Sequence, residues 1–159
     1  KKMRQKLRES EDEVNRFSQD NQLISIDMQT EKLLVRTQEI QDQILTLSED
    51  KRELEGILNR LNRFIENPKG SGHDFYSTKT HTQYKSTNDI LMGRLLKRDT
   101  LLKTYTSQHP EVVAISDEII ENARKMMILL KLQIADMGKR GIDLQKQLEK
   151  VDHKTRVLM

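Results

Sequence analysis

Apolar residues in the second quarter of the chain recur in alternating steps of four and three: Ile40, Ile44, Leu47, Leu54, Leu58, Leu61 and Ile65, with Lys51 in the one vacant slot. A repeat of 3.5 residues is the seam of a left-handed coiled coil. Upstream a looser stripe runs through Met3, Leu7, Val14, Phe17, Ile24 and Met28. Residues 1–66 hold no proline and one glycine, Gly56, and are rich in Lys, Arg, Glu, Gln, Leu and Met, which favour helix. The pattern predicts one long helix over 1–66.

Asn67-Pro68-Lys69-Gly70-Ser71-Gly72 stops that helix, because proline and two glycines cannot continue it. Polar and β-branched residues follow, so 67–84 is expected to be a loop at a bend. Gly70-Ser71-Gly72 reads equally as a natural tip or as an engineered splice. Helical spacing resumes over about 85–105 through Ile90, Leu91, Leu95, Leu102 and Tyr105, and Ser107-Gln108-His109-Pro110-Glu111 interrupts it. Pro110 suits the first turn of a new helix, and Glu111 complements its positive end. That helix is expected over about 110–158, within a segment 85–159. Its seam is Ile119, Ala123, Met126, Leu130, Ile134, Met137, Leu144, Leu148, Val151 and Leu158. Gly138 and Gly141 either weaken it or admit a close neighbour.

Lengths suggest a topology. At 1.5 Å per residue, 1–66 spans roughly 99 Å, and the two later helices laid end to end span about 106 Å. The expected fold is all-α: a long antiparallel coiled-coil hairpin with its returning arm broken at His109-Pro110. Charge agrees, since 1–66 carries 12 basic and 14 acidic residues and the remainder 16 and 11. Two narrow seams would leave a lone hairpin marginal, so neighbouring copies are expected to cover the remaining apolar residues, giving a homo-oligomer.

Composition narrows the chemistry. Of 159 residues, 33% are charged, 35% hydrophobic and 4% aromatic, too little apolar material for a well-filled globular core. No cysteine is present, which removes disulfides, thiolate metal sites and cysteine nucleophiles. No phosphate loop, serine elbow or zinc-helix motif occurs, and His73, His81, His109 and His153 lack metal-ligand spacing. Carboxylate pairs such as Glu9/Glu13 and Asp117/Glu121 read as solvated helix faces. No catalytic, cofactor or metal residue is expected, and the chain is read as a non-enzyme. The basic clusters Lys1-Lys2-Arg4-Lys6-Arg8, Lys97-Arg98 and Lys139-Arg140 lie beside acids without interleaved aromatics, so no specific nucleic-acid binding is expected. The densest apolar run, Met126–Leu130, ends at Lys131, far short of a membrane span. The chain is therefore read as a soluble segment of a longer protein, with any membrane anchor outside it.

Two stretches resemble bacterial polysaccharide co-polymerases, the chain-length determinant and exopolysaccharide export proteins. The first is Lys2-x-Arg4-x-x-Leu7-x-Glu9-x-Glu11 with Phe17 and Asn21-Gln22-Leu23-Ile24; the second, more specific, is Leu101-Leu102-x-x-Tyr105-x-x-x-His109-Pro110-x-Val112. The resemblance implies a periplasmic helical hairpin of an inner-membrane protein, ringed with its own copies, which sets polymer length or couples polymerisation to an outer-membrane exporter. It implies weak contact with the polysaccharide. It carries over Tyr105, His109 and Pro110 as a structural element at the helix break, Tyr105 packing over the bend. The membrane helices, the α/β base, the proline-rich segment and the tyrosine kinase of some members have no counterpart in these residues. Two other readings stay open: a periplasmic adaptor hairpin of a tripartite efflux or secretion system, and a cytoplasmic coiled-coil spacer.

Overall fold

In a computed structural model the chain is described over residues 2–70 and 72–158. Lys1 of the basic cluster, Ser71 of the glycine-serine-glycine reading, and Met159 lie outside the described residues. Three helices follow in order, α1 (Lys2–Glu66), α2 (Thr82–Leu102) and α3 (Pro110–Leu158), and no strand occurs among the described residues. No helix among them is long and apolar enough to cross a membrane. The chain divides into two compact units, Leu45–Ile142 on one side and Lys1–Ile44 with Asp143–Met159 on the other.

In the unit Leu45–Ile142, α1 ends where the sequence stops it. Asn67 N–H donates to the Arg63 carbonyl, Pro68 follows, and Gly70 and Gly72 take the left-handed φ values of 87° and 82° that suit glycine. The segment after Gly72 is not a simple tip. It runs back along α1: Ser77 Oγ donates to Glu53 Oε2 at 2.7 Å, and Lys79 Nζ lies 3.6 Å from Asp50 Oδ1. Phe75 sinks into the core beside Phe64, with ring centroids 5.5 Å apart. α2 then begins at Thr82, three residues before the periodicity suggested.

Across α2 and α3 the contacts are ordered. His81, the residue before α2, meets Gln133; Thr87 meets Asn122; Arg94 meets Glu118. Numbers rise on α2 as they fall on α3, so these two helices lie side by side and run in opposite directions. This corrects the end-to-end returning arm expected from helix lengths. The equality of lengths was a coincidence of counting α2 into an arm. The extended segment before it returns along α1, the chain turns again before Thr82 so that α2 runs back toward the end of α1, where Arg98 meets Pro68 and Gly70, and the short link 103–109 reverses it a third time.

The core of this unit joins Leu54, Ile57, Leu61 and Phe64 of α1, Phe75 of the segment, Tyr84, Leu91 and Leu95 of α2, and Ile115, Ile119, Ala123, Met126 and Leu130 of α3. Contact on α1 from both the segment and the other helices explains why its apolar face, with Ile57 and Phe64 added, is wider than a two-stranded seam. Gly138 and Gly141 do not mark a close approach. A Cβ on Gly141 would lie 3.7 Å from Leu47 Cδ2 and one on Gly138 3.9 Å from Lys51 Nζ, both ordinary contacts, and Gly56 has open space around it. Alanine at all three is therefore expected to raise stability by about 2 kcal/mol in total through helix propensity alone, read as a higher urea midpoint at unchanged slope.

In the unit Lys1–Ile44 with Asp143–Met159, Ile40 and Leu144 are buried, and Thr30, Leu33, Thr37, Ile44, Leu148, Val151 and Leu158 are half-buried. Arg36 Nη2 donates to Gln147 Oε1 at 3.4 Å. Every residue from Lys2 to Gln29 is exposed, including the upstream stripe Met3, Leu7, Val14, Phe17, Ile24 and Met28.

Candidate functional site

The element carried by the resemblance is a helix-to-helix corner. Beyond Leu102 the backbone keeps turning: Thr104 and Tyr105 N–H both donate to the Leu101 carbonyl, at 3.1 and 2.8 Å. His109 N–H donates to the Thr106 carbonyl, and the His109 carbonyl accepts from Val113 N–H in the first turn of α3. Pro110 has no N–H to lose there, and its fixed φ matches the helix. The His109 ring does the capping: its Nδ1 accepts from Glu111 N–H at 3.2 Å, so in the neutral ring the proton sits on Nε2. Tyr105 stacks over that ring with centroids 3.9 Å apart and planes 19° off parallel. Val112 is buried and Leu101 packs on the core. The motif is thus apolar where it faces the unit and aromatic where it meets water, with Tyr105 38% exposed.

Residues of the expected seam divide by depth. Ile40, Leu54, Leu61, Ile119, Ala123, Met126, Leu130 and Leu144 are buried; Ile44, Leu47, Leu58, Ile65, Ile134, Met137, Leu148, Val151 and Leu158 are half-buried. Periodicity did not single out the polar residues that fix how the strands of chain meet. Gln133, 6% exposed, donates from Nε2 to the Lys79 carbonyl at 2.7 Å and accepts His81 N–H at 3.2 Å. Asn122 donates to the Thr87 carbonyl and accepts from Arg94 Nη1. Buried Arg98 gives Nη1 to the Pro68 carbonyl and Nη2 to that of Gly70, tying α2 to the end of α1. A polar amide one step off an apolar seam is the signal available in sequence, and it does not say which carbonyl the amide serves.

Among the described residues no three His, Cys, Asp or Glu side chains gather as a metal site. A hollow of about 520 Å³ is lined by Arg60, Arg63, Asn67, His73 and Asp74 over Phe64 and Phe75. His73 there is held by its Nε2 at 3.0 Å from the Lys69 carbonyl and by its ring on Phe64.

Among the described residues Tyr84 is the group whose titration is clearly displaced. Burial, partly offset by nearby Arg60, drives its phenol far above the ordinary range, and its hydroxyl donates to the Phe75 carbonyl at 2.6 Å. The folded state thus favours the protonated form. Its contribution is complete below the unfolded pKa of about 10 and drains away above it, at about 1.4 kcal/mol per pH unit. Tyr84→Phe is expected to flatten the decline of stability between about pH 10 and 12 relative to the parent chain, read from denaturant midpoints across that interval. Compared with known proteins, the chain matches no family model, no curated protein and no solved structure.

Proposed function

We propose that this chain is a non-catalytic helical scaffold of the polysaccharide co-polymerase kind, whose α1 and α3 pair as an antiparallel coiled-coil hairpin. The observation that carries the reading is the corner Leu101-Leu102-x-x-Tyr105-x-x-x-His109-Pro110-x-Val112, in which the spaced residues divide the structural work, with Val112 buried, His109 capping and Tyr105 lying on the His109 ring. Antiparallel pairing is supported by Gly141 lying over Leu47 and Gly138 over Lys51, positions that fall on α3 as they rise on α1.

On this reading the protein works in the periplasm as part of an inner-membrane protein, beside copies of itself and an outer-membrane exporter. It acts by geometry. A wall of rods presenting charged, aromatic-poor faces lets a glycan slide past without holding it, because stacking on sugars needs rings and only six of the 159 residues are Phe or Tyr.

The test is genetic and chemical together. Deleting the encoding gene is expected to change the length distribution or the amount of a surface polysaccharide, read on gels. Tyr105→Ala/His109→Ala in the full-length protein is expected to leave it helical and shift the same distribution. A polysaccharide profile unchanged by the deletion overturns the proposal.

A further inference from the structure

Residues Lys2 to Gln29 of α1 form a stretch of helix with no buried residue. Its side chains are nonetheless ordered by period. Met3, Leu7, Ser10, Val14, Phe17, Asn21, Ile24 and Met28 follow steps of four and three without a fault, and six of these eight are apolar. This is four heptads, the length at which a coiled-coil seam becomes a credible partner surface.

The stripe is not a continuation of the face that α1 turns inward. The inward face begins at Thr30, Leu33, Thr37 and Ile40, whereas the stripe would continue to Glu31 and Val35, which are exposed. At 3.5 residues per turn the two lie roughly 150° apart around the helix. A partner on the stripe therefore leaves the inward face undisturbed.

Charge identifies the partner and its direction. We propose that residues Met3 to Met28 of α1 pair in parallel, in register, with the same residues of a second copy of this chain. In that arrangement the flanking positions bring Lys6 to Glu11 and Asp27 to Lys32 of the other copy, four attractive pairs by symmetry and no repulsive one. The antiparallel alternative matches Lys6 with Asp27 but sets Glu13 against Asp20, so its gains cancel. Asn21 sits at the seam position where a pair of asparagines hydrogen-bond to each other in parallel dimers and penalise other registers. Such a contact between copies deepens the scaffold reading on which it rests, yet it depends on α1 alone and stands or falls apart from any polysaccharide.

The absence of cysteine makes the test direct. Sedimentation of the 159-residue chain is expected to give a dimer, with helix content rising with concentration. Phe17→Glu, at an exposed position, is expected to weaken the dimer by at least about 100-fold. Lys6→Glu weakens it as well, and Lys6→Glu/Glu11→Lys restores it. Met3→Cys is expected to form a disulfide with its own copy on oxidation, in the purified chain and in the full-length protein. A monomer at about 100-fold the concentration used for spectroscopy overturns the proposal. So does a dimer indifferent to Phe17→Glu, or cross-linking of Met3→Cys only to Met28→Cys, which would mean antiparallel pairing.

Discussion

Phe75→Ala is expected to cost about 3–5 kcal/mol, a large share of the stability of a small helical unit. Phe75 is 2% exposed, tilts on Phe64 at 5.5 Å and lies parallel to the His73 ring at 6.2 Å. Around it the segment between α1 and α2 has few other apolar anchors, since Tyr76 beside it is half exposed. Removing the ring leaves a cavity that the backbone cannot close, because Gly70 and Gly72 already hold the turn and Ser77 is pinned to Glu53. Tyr76→Ala supplies the comparison and should stay within about 0.5 kcal/mol of the parent. Urea unfolding gives the magnitudes. Amide exchange gives the place: protection over 73–81 should fall first in Phe75→Ala. Equal costs for the two variants would mean that the segment is not packed as described.

Phe75 is a residue that periodicity passed over, and the reason is physical. The long helices were legible because their apolar spacing extends over many turns, and because Pro68 and Pro110 punctuate it unambiguously. Leu54, Leu61, Ile119, Met126 and Leu130 could thus be placed inside from pattern alone. The segment 67–81 has no period. Its single buried ring sits among Ser, Thr, Lys and His, whose local composition describes an exposed loop equally well.

Topology is not legible from helix length for a related cause. Helix lengths constrain a hairpin only if every helix belongs to one of its arms, and length says nothing about a segment that doubles back. Ile57 and Phe64 carried the missing information. An apolar face wider than a two-stranded seam requires a further contact, and α1 has that face over 54–65. At the corner, the Tyr105–His109 stack and the Pro110 start were legible as a helix break, whereas the capping role of the His109 ring nitrogen needed the geometry.

Gln133 tests the side-by-side packing of α2 and α3 most sharply, and Gln133→Leu is expected to destabilise the unit Leu45–Ile142 by about 2–5 kcal/mol. The shape is nearly kept, so the loss is polar: the Lys79 carbonyl and the His81 N–H are left in the interior without their partner on α3. Gln133→Glu separates the two bonds. Its carboxylate still accepts from His81 N–H but cannot donate to the Lys79 carbonyl, and burial raises the cost of its charge. The folded pKa of that carboxyl is therefore raised above the unfolded value of about 4.3. Protonation supplies an O–H for Lys79, so the deficit of Gln133→Glu relative to the parent should shrink as pH falls through the raised folded value and be smallest below about 4.3. The deficit of Gln133→Leu should stay constant over the same range. A helix α2 lying end to end with α3 would put Gln133 nowhere near His81, and both variants would then be silent.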